Sequence, residues 1–381
     1  MKIATLLFTF NRSYHTKQVL TALRENKVLP QKLFVFQDGI KHKSDRDEWE
    51  KVNCLIRDID WCDTEIVVSE YNKGLSESII SGINYVLKEY DAVIVLEDDC
   101  VPTENFMSYM TQCFLKYQNN KKVYSVSGYS WPIHLQGGTY DVYGCGRISS
   151  WGWGTWKDRW AKYNKDYELV RKMKQNEKMS RNLAMWGRDL EETLVGNVRG
   201  VCDSWAVFWA LNVIMQEGIC INPYESFIRN IGFDGSGVHC GVTDQGNIKC
   251  INQKREEFSL PDEIGFASET ITAFAELYGS YTAANDSDNH KKKILVYGIG
   301  NFFLKNEKEI NQNYYIDKFI DLYKKGYFAG KEIIKPVAIE NCDYEKIVVM
   351  LQNREECMNI VHDLVQNHHV SKEKIQIGWE K

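Results

Sequence analysis

The chain has 381 residues, which is long for one domain and comfortable for two. Its 44% apolar content can form sizeable cores, and its formal net charge of -5 shows no excess of basic residues. This balance argues against a nucleic-acid partner, because nucleic-acid-binding domains usually carry a basic face. The sequence contains no apolar run of about 18 residues and so predicts no transmembrane helix.

The first hundred residues alternate between apolar runs typical of strands and segments with apolar residues at helical spacing. In chain order, these patterns predict strand 3–8, helix 16–24, strand 33–36, helix 49–59, strand 65–68, helix 75–87 and strand 92–96. Such alternation predicts an α/β fold with a mixed, mainly parallel sheet of the Rossmann-like type and helices on both faces.

A second α/β pattern follows a polar segment near the end of the chain. The polar segment at residues 281–292 predicts a linker. Beyond it, the patterns predict strands at 293–297, 314–319, 347–351 and 374–377, and a helix at 355–365. We therefore expect a large domain at residues 1–280 and a small α/β domain at residues 293–381.

The cysteines and the N-terminus indicate a cytoplasmic protein. Eleven cysteines are scattered without a CxxC pair, a pattern that favours reduced thiols over a disulfide framework. The opening MKIATLLFTFNR lacks the long apolar region and the cleavage site of a signal peptide. We expect a cytoplasmic location, with peripheral contact to the inner face of the membrane left open.

Polar residues follow four predicted strands of the large domain. In mainly parallel sheets, ligands bind beyond the carboxyl ends of the strands, so these residues are predicted to share one edge. The four segments are Thr9-Phe10-Asn11-Arg12, Asp38-Gly39, Asn72-Lys73-Gly74 and Glu97-Asp98-Asp99.

The acidic triplet Glu97-Asp98-Asp99 is the strongest candidate for a metal site. The adjacent phosphates of a nucleoside diphosphate carry charge that Mn²⁺ or Mg²⁺ can neutralise, and both cations prefer carboxylate oxygens. Side chains alternate along an extended chain, so Glu97 and Asp99 would point to one side. The alternative is a solvated acidic turn.

The ordered motifs also resemble a known family. The segments FTFNR, FQDG, YNKGLSESIISGINYVL and VLEDDCVP, in this order and spacing, resemble a GT-A-fold glycosyltransferase of the family 2 type. The resemblance covers about the first two-thirds of the chain. It continues through GRISSWGWGTW at 146–156 and DSWAVFW at 203–209, which resemble bacterial sugar transferases distantly related to the N-acetylglucosaminyltransferase I group.

This resemblance implies a role for each matching position at the nucleotide. Thr9, Phe10 and Arg12 would border the base and ribose, and Asp38 would accept a hydrogen bond from the uracil ring NH. The segment 72–74 would approach the ribose and phosphates. Judged alone, Arg12 could equally be a surface salt-bridge partner, and Asp38 could sit in an ordinary turn.

The resemblance also divides the acidic triplet. Glu97 and Asp98 would face the ribose and donor sugar, and Asp99 would bind the metal ion directly. The usual family triplet is Asp-x-Asp, and Glu97 replaces the first Asp here. Gly74 would let the backbone approach a phosphate, or it could be a simple helix-entry turn.

Inverting glycosyl transfer needs a carboxylate that removes the proton of the attacking hydroxyl. Asp203, before an apolar helix, matches the position of the family's base. Spacing alone favours a helix N-cap at Asp203 instead. Glu191 and Glu192 are reserve candidates, although both fit a solvated helix face.

The run 151–156 contains three tryptophans separated by small residues, which suits stacking on sugar rings. We predict that Ser149, Ser150 and Trp153 contact ligand, whereas Trp156 could equally form a rigid aromatic corner. The Gly-rich segment 232–239 predicts a loop that closes over the nucleotide, and His239 would complete the metal shell or touch phosphate.

The segment KILVYGIGNFF at 293–303 resembles the opening of a dinucleotide-binding unit. The longer segment that continues through KIVVML at 346–351 resembles the small half-Rossmann module found in sugar-nucleotide and polysaccharide proteins. Phe303 stands where the third glycine of GxGxxG would be, which argues against a NAD site. We interpret the small domain as accessory: it would bind the acceptor, form a homo-oligomer or stabilise the protein.

The sequence therefore predicts a metal-dependent inverting transferase that uses Mn²⁺ or Mg²⁺. It would move a hexosyl or N-acetylhexosaminyl group from a UDP-sugar to a glycan or lipid-linked glycan, in bacterial surface polysaccharide synthesis. The alternatives are a non-catalytic nucleotide-sugar or glycan-binding protein and a NAD-dependent sugar-modifying C-terminal domain.

Overall fold

The structure is a computed structural model, and the chain forms two compact units, Met1–Ser280 and Tyr281–Lys381. The α/β class is confirmed: the first unit contains a large, mainly parallel sheet and the second a separate sheet. The structure describes residues 1–133, 135, 139–173, 175–234, 255–278, 292–300, 302–303, 306, 309–310, 313–324, 326–328 and 331–378.

Strands and helices alternate through the start of the first unit. Its described strands are β1 (Ile3–Thr9), β2 (Leu33–Gln37), β3 (Thr64–Val68), β4 (Ala92–Glu97), β5 (Cys100–Pro102), β6 (Val123–Ser127), β7 (Val142–Cys145), β8 (Trp153–Trp156), β9 (Ile219–Pro223) and β10 (Ile228–Asn230). Its described helices are α1 (Ser13–Arg24), α2 (Arg46–Arg57), α3 (Leu75–Val86), α4 (Phe106–Tyr117), α5 (Lys157–Trp160), α6 (Tyr167–Met173), α7 (Glu177–Ala184), α8 (Arg188–Val198), α9 (Trp205–Met215) and α10 (Ser268–Tyr278).

The large sheet has the strand order β3-β2-β1-β4-β8-β6-β9-β7. Strands β1 to β4 are parallel, whereas β8 and β7 run antiparallel to their neighbours. In the register, Phe8 of β1 lies opposite Phe36 of β2 and Glu97 of β4. The residues that follow these three strands therefore emerge side by side at one edge of the sheet.

Apolar residues fix this edge from both faces. On one face, Ile79 and Ile83 of α3 are buried in the cluster that holds Phe8. On the other face, Val19 of α1 and Val52 of α2 are buried with Leu7 of β1. Burial of each such side chain contributes about 1.5–3 kcal/mol, so the strand ends have little freedom to move.

The second unit has its own, mostly parallel sheet. Its described elements are β11 (Lys292–Tyr297), β12 (Tyr314–Ile320), β13 (Gly326–Phe328), β14 (Lys331–Ile334), β15 (Lys346–Val349), α11 (Arg354–Gln366) and β16 (Ile375–Ile377). The strand order is β13-β14-β12-β11-β15-β16, and the β13–β14 pair is antiparallel. The predicted linker lies outside the described residues except for Lys292, which begins β11.

Within the described part of the chain, every helix is too short or too polar to cross a membrane.

Candidate active site

Arg12, Asp98 and Asp99 form a buried charged cluster at the carboxyl edge of the large sheet. The Arg12 guanidinium donates from Nε to Asp98 Oδ2 at 3.2 Å and from Nη2 to Asp99 Oδ2 at 2.9 Å. Nη2 also contacts Asp98 Oδ1. The side chains of Arg12, Asp98 and Asp99 are only 19%, 7% and 12% exposed, so this is neither a solvated turn nor a surface salt bridge.

Burial and mutual repulsion set the charge of this cluster. Burial raises the pKa of Asp98, and Arg12 opposes that rise. Burial, together with the charges of Asp99 and Asp98, raises the pKa of Glu97 to about 8. Burial lowers the pKa of Arg12, but the charges and hydrogen bonds of Asp98 and Asp99 prevail and raise it above its ordinary value. One guanidinium thus balances only part of the negative charge available here.

The segment at 230–234 passes directly over Asp99. The Ile231 amide donates to the Asp99 carbonyl oxygen at 2.9 Å, and a side chain at position 232 would meet Asp99 Oδ2 at 2.4 Å. A side chain at position 232 would therefore have to displace the Asp99 carboxylate. Asp234 holds the end of the segment, because its carboxylate lies 3.1 Å from His15 Nε2. The next residues of the predicted loop, including His239, lie outside the described residues.

Asp38 joins the end of β2 to the loop before α3. Its Oδ1 accepts from the amides of Gly39 and Lys73 at 2.9 and 2.8 Å. Its Oδ2 accepts from Asn72 Nδ2 and the Gly74 amide at 3.0 and 2.9 Å. Four hydrogen bonds use the whole acceptor capacity of a carboxylate, so a uracil NH could bind Asp38 only by displacing one of them.

The neighbouring backbone explains why the loop at 71–74 stays close to β2. A side chain at position 39 would lie 2.3 Å from the Tyr71 carbonyl carbon, so glycine is required there. Gly74 has φ +78°, which favours glycine, and α3 begins at the next residue. The Asp38 amide donates to the Thr9 carbonyl oxygen at 3.0 Å, which ties this loop system to β1.

The structure thus gathers most of the predicted nucleotide-binding positions at one edge. Thr9 is buried, and its hydroxyl donates to the Phe36 carbonyl oxygen at 3.4 Å, so its side chain supports β2. Phe10 is half-buried beside Arg12 in the connection between β1 and α1. Loop 72–74 is attached to the same edge through Asp38.

Asp203 lies before α9, but it is not the residue that caps the helix. Ser204 is the N-cap, because its side chain accepts a hydrogen bond from the Val207 amide at 3.4 Å. The capping alternative for Asp203 is therefore wrong. The Asp203 carboxylate is exposed and pairs with Lys165. The reserve candidates Glu191 and Glu192 are half-buried within α8.

Lys165 was not predicted from the sequence. Its Nζ contacts Asp203 and also donates to Ser76 Oγ at 3.1 Å, in the first turn of α3. Lys165 therefore brings Asp203 to the helix that follows loop 72–74. The sequence gives no sign of these contacts, because Ser76 and Asp203 both lie far from Lys165 along the chain.

The tryptophan-rich segment belongs mostly to the core. Trp153 is 0% exposed and stacks on Trp205 with ring centroids 5.0 Å apart. This placement contradicts the prediction that Trp153 contacts the donor sugar, because a ligand cannot touch a side chain without exposed surface. Trp156 is also buried, which agrees with the alternative that it forms a rigid aromatic corner. Ser149 is buried too, and Ser150 is half-buried and remains a candidate.

The residues present fit a cation that arrives with a diphosphate better than a resident metal ion. Among the described residues, no group of three or more His, Cys, Asp or Glu side chains is arranged to hold a metal. Asp99 can offer a carboxylate that is now shared with Arg12. Mg²⁺-type sites commonly use one or two carboxylates and complete the shell with phosphate oxygens and water.

No protein-family model and no curated protein sequence matches the chain. The chain is similar to the solved structure of TarS 1-349 from S. aureus, with 9% identity, 60% of each chain covered and a TM-score of 0.33. The same fragment in complex with UDP-GlcNAc gives 10% identity over 60% of this chain and 58% of that chain, with a TM-score of 0.34.

The chain is also similar to the mannosyltransferase PcManGT from Pyrobaculum calidifontis, in complex with GDP-Man and Mn²⁺. Here the identity is 9% over 57% of this chain and 68% of that chain, with a TM-score of 0.32. The chain covers less than two-thirds of the TarS chains that it matches. At these identities and scores the likeness assigns no activity, so the function has to be inferred from the geometry of the site.

Proposed function

We propose that the protein is a metal-dependent inverting glycosyltransferase that moves a sugar from a UDP-sugar to a hydroxyl group of a glycan acceptor. The observation that carries this proposal is the buried Arg12–Asp98–Asp99 cluster, which lies at the same sheet edge as loop 72–74. Clusters of charged groups with shifted pKa values are typical of functional sites.

The donor would occupy this edge. Thr9, Phe10 and Arg12 would border the base and ribose, and loop 72–74 would approach the ribose and phosphates. Glu97 and Asp98 would face the ribose and donor sugar. Asp99 would hold Mn²⁺ or Mg²⁺, which when bound would neutralise the charge of the departing diphosphate.

Asp203 would act as the general base on the acceptor side. Its exposed carboxylate would take the proton of the acceptor hydroxyl while that oxygen forms a bond to the anomeric carbon. The bond between the anomeric carbon and the phosphate oxygen would break at the same time, and its electron pair would leave with the diphosphate. Attack opposite the leaving group inverts the anomeric centre.

The wider role that we propose follows the same chemistry. The transferred group would be hexosyl or N-acetylhexosaminyl, and the acceptor a glycan or lipid-linked glycan of bacterial surface polysaccharide. The protein would act in the cytoplasm, with peripheral contact to the inner face of the membrane. The domain at 293–381 would be accessory, as an acceptor-binding, oligomerising or stabilising module joined through residues 281–292.

A panel of nucleotide-sugars tests the proposal by thermal stabilisation and by metal-dependent hydrolysis or transfer. We expect a UDP-sugar to raise the melting temperature with Mn²⁺ but not with EDTA. D99N should lower turnover about 100-fold or more, because the carboxylate that would hold the cation at the leaving group is lost. The control is D343N, since Asp343 is 96% exposed in the second unit.

Two outcomes would contradict this function. Binding of UDP-sugars without hydrolysis or transfer across a broad acceptor panel would favour a non-catalytic binding protein. Wild-type metal-dependent turnover in D99N would contradict a transfer reaction that depends on a cation held by Asp99.

A further inference from the structure

Lys165 is held in place by the two residues before it, which are hydrogen-bonded to α9. The Tyr163 hydroxyl donates to the Trp205 carbonyl oxygen at 3.3 Å. The Asn164 amide donates to Asn212 Oδ1 at 2.5 Å, and Asn212 Nδ2 returns a hydrogen bond to the Asn164 carbonyl oxygen at 3.2 Å. Asn212 is itself buried. The backbone that carries Lys165 is therefore fixed to α9 by three hydrogen bonds.

The Lys165 ammonium then reaches two segments that carry the proposed chemistry. Its side chain is only 23% exposed, although its partner Asp203 is 65% exposed. The ammonium lies 5.8 Å from the centre of the Phe208 ring, and Ser76 Oγ, which accepts its hydrogen bond, is on a buried residue. Most surface lysines are free to rotate, whereas this one is confined between α3 and α9.

We propose that Lys165 is a positioning residue for the transfer reaction: it orients the Asp203 carboxylate and couples it to the start of α3, beside the donor loop. The proposal rests on the proposed function. Asp203 and loop 72–74 belong to elements that are distant in the sequence, and the Lys165 side chain contacts both α3 and Asp203. It would thereby set the distance between the proton acceptor and the donor sugar.

Lys165 takes no part in the proton transfer. Asp203 takes the proton of the acceptor hydroxyl, and Lys165 only holds the carboxylate that receives it. An exposed ion pair adds little to stability, so stability is not the expected contribution of this pair. Orientation of a reacting group is worth far more, because a displacement of about 1 Å can cost about 100-fold in rate.

The experiment is a double-mutant cycle with K165M and D203N in the full chain. We expect K165M to lower kcat for transfer about tenfold to 100-fold and to leave the Kd for UDP with Mn²⁺ unchanged. In the D203N background, K165M should cause no further loss, because Lys165 acts through Asp203. K165R keeps the charge and should restore part of the lost kcat.

Lys121 provides a matched control, because it also pairs with an aspartate but is 68% exposed. K121M should keep wild-type kcat and UDP affinity. Measurements at a temperature well below the melting point of every variant separate positioning from a loss of folded protein. S76A removes only the tie to α3 and should give a smaller loss of kcat than K165M.

The outcomes separate the inference from the function on which it rests. If D203N abolishes transfer but K165M keeps wild-type kcat, only the positioning role is overturned. A weaker UDP affinity in K165M would mean that Lys165 binds the diphosphate directly, which also overturns positioning. If D203N keeps wild-type turnover, both the proposed base and the role of Lys165 fail.

Discussion

The two sheets of this protein have the same strand order around their first strand but use their carboxyl edges differently. Across each sheet the parallel strands come in the order third, second, first, fourth. This order is β3-β2-β1-β4 in the first unit and β14-β12-β11-β15 in the second, where the antiparallel edge strand β13 is not counted. In each sheet an aspartate directly follows the strand next to the first one: Asp38 after β2 and Asp321 after β12. The comparison shows what a polar strand end needs to become part of a site.

Asp38 is a junction between distant segments, whereas Asp321 stabilises its own turn. Three of the four donors to Asp38 come from residues 72–74, about 35 positions along the chain. Asp321 accepts from the amides of Tyr323 and Lys324, both at 2.8 Å. An aspartate at the same place in the topology thus links two loops in the first unit, because residues 72–74 contact it. In the described part of the second unit, its side chain bonds only to amides of its own turn.

The residues that follow the first strand also differ between the two sheets. Gly298, with φ +95°, packs against Leu351, and Phe303 is fully buried against Phe319. A core phenylalanine therefore stands where a dinucleotide-binding turn would have its third glycine. The first unit instead buries Arg12 between two carboxylates. A strand end becomes a candidate site when its polar groups are buried and contact other elements.

The largest effect that the comparison predicts comes from R12M. Removing the guanidinium leaves Asp98 and Asp99 buried without their counter-charge, so we expect the free energy of unfolding to fall by about 3–5 kcal/mol. Urea unfolding in EDTA, followed by circular dichroism, measures this change. K32M is the control: Lys32 pairs with Asp63, which is 70% exposed, and the expected change is below about 1 kcal/mol. Similar small changes in both variants would mean that the cluster is not a buried network.

A direct test of the comparison pairs D38A with D321A. D38A leaves four donors without their acceptor, and we expect a loss of about 2–4 kcal/mol in the free energy of unfolding. D321A removes two hydrogen bonds from a partly exposed turn and should cost about 1 kcal/mol or less. Hydrogen exchange adds a local measurement, since the amides of Lys73 and Gly74 should lose protection only in D38A. Equal costs for the two variants would end the distinction between a junction and a turn.

The sequence predicted the elements of the edge well, because apolar periodicity is a local property. The predicted strands 3–8, 33–36, 65–68 and 92–96 each agree with the observed strands to within one residue at either end. Alternation of strands and helices then requires a mainly parallel sheet, and its carboxyl edge collects the polar segments. These steps use only neighbouring residues and general topology.

The contacts within the site could not be predicted in the same way. The saturation of Asp38 depends on how the loop at 71–74 crosses Gly39, and the position of Asp203 depends on Lys165. Trp153 was misjudged because glycines beside tryptophans suit both a ligand site and a tightly packed strand. In the structure, Gly154 lies so close to the Val93 carbonyl oxygen that a side chain would meet it at 2.4 Å. The small residue serves strand packing there.

W153F tests that correction and should have the smallest effect. Phenylalanine leaves a cavity beside Trp205, which is destabilising, but it also removes an indole N–H that is buried without a hydrogen-bond partner among the described residues. The two effects oppose each other, so we expect a net loss of about 1–2 kcal/mol in the free energy of unfolding. The Kd for UDP with Mn²⁺ should stay unchanged, as it should in F303L of the second unit. A selective loss of donor affinity in W153F would contradict this correction. It would mean that the donor depends on the Trp153 side chain, which is buried and stacks on Trp205.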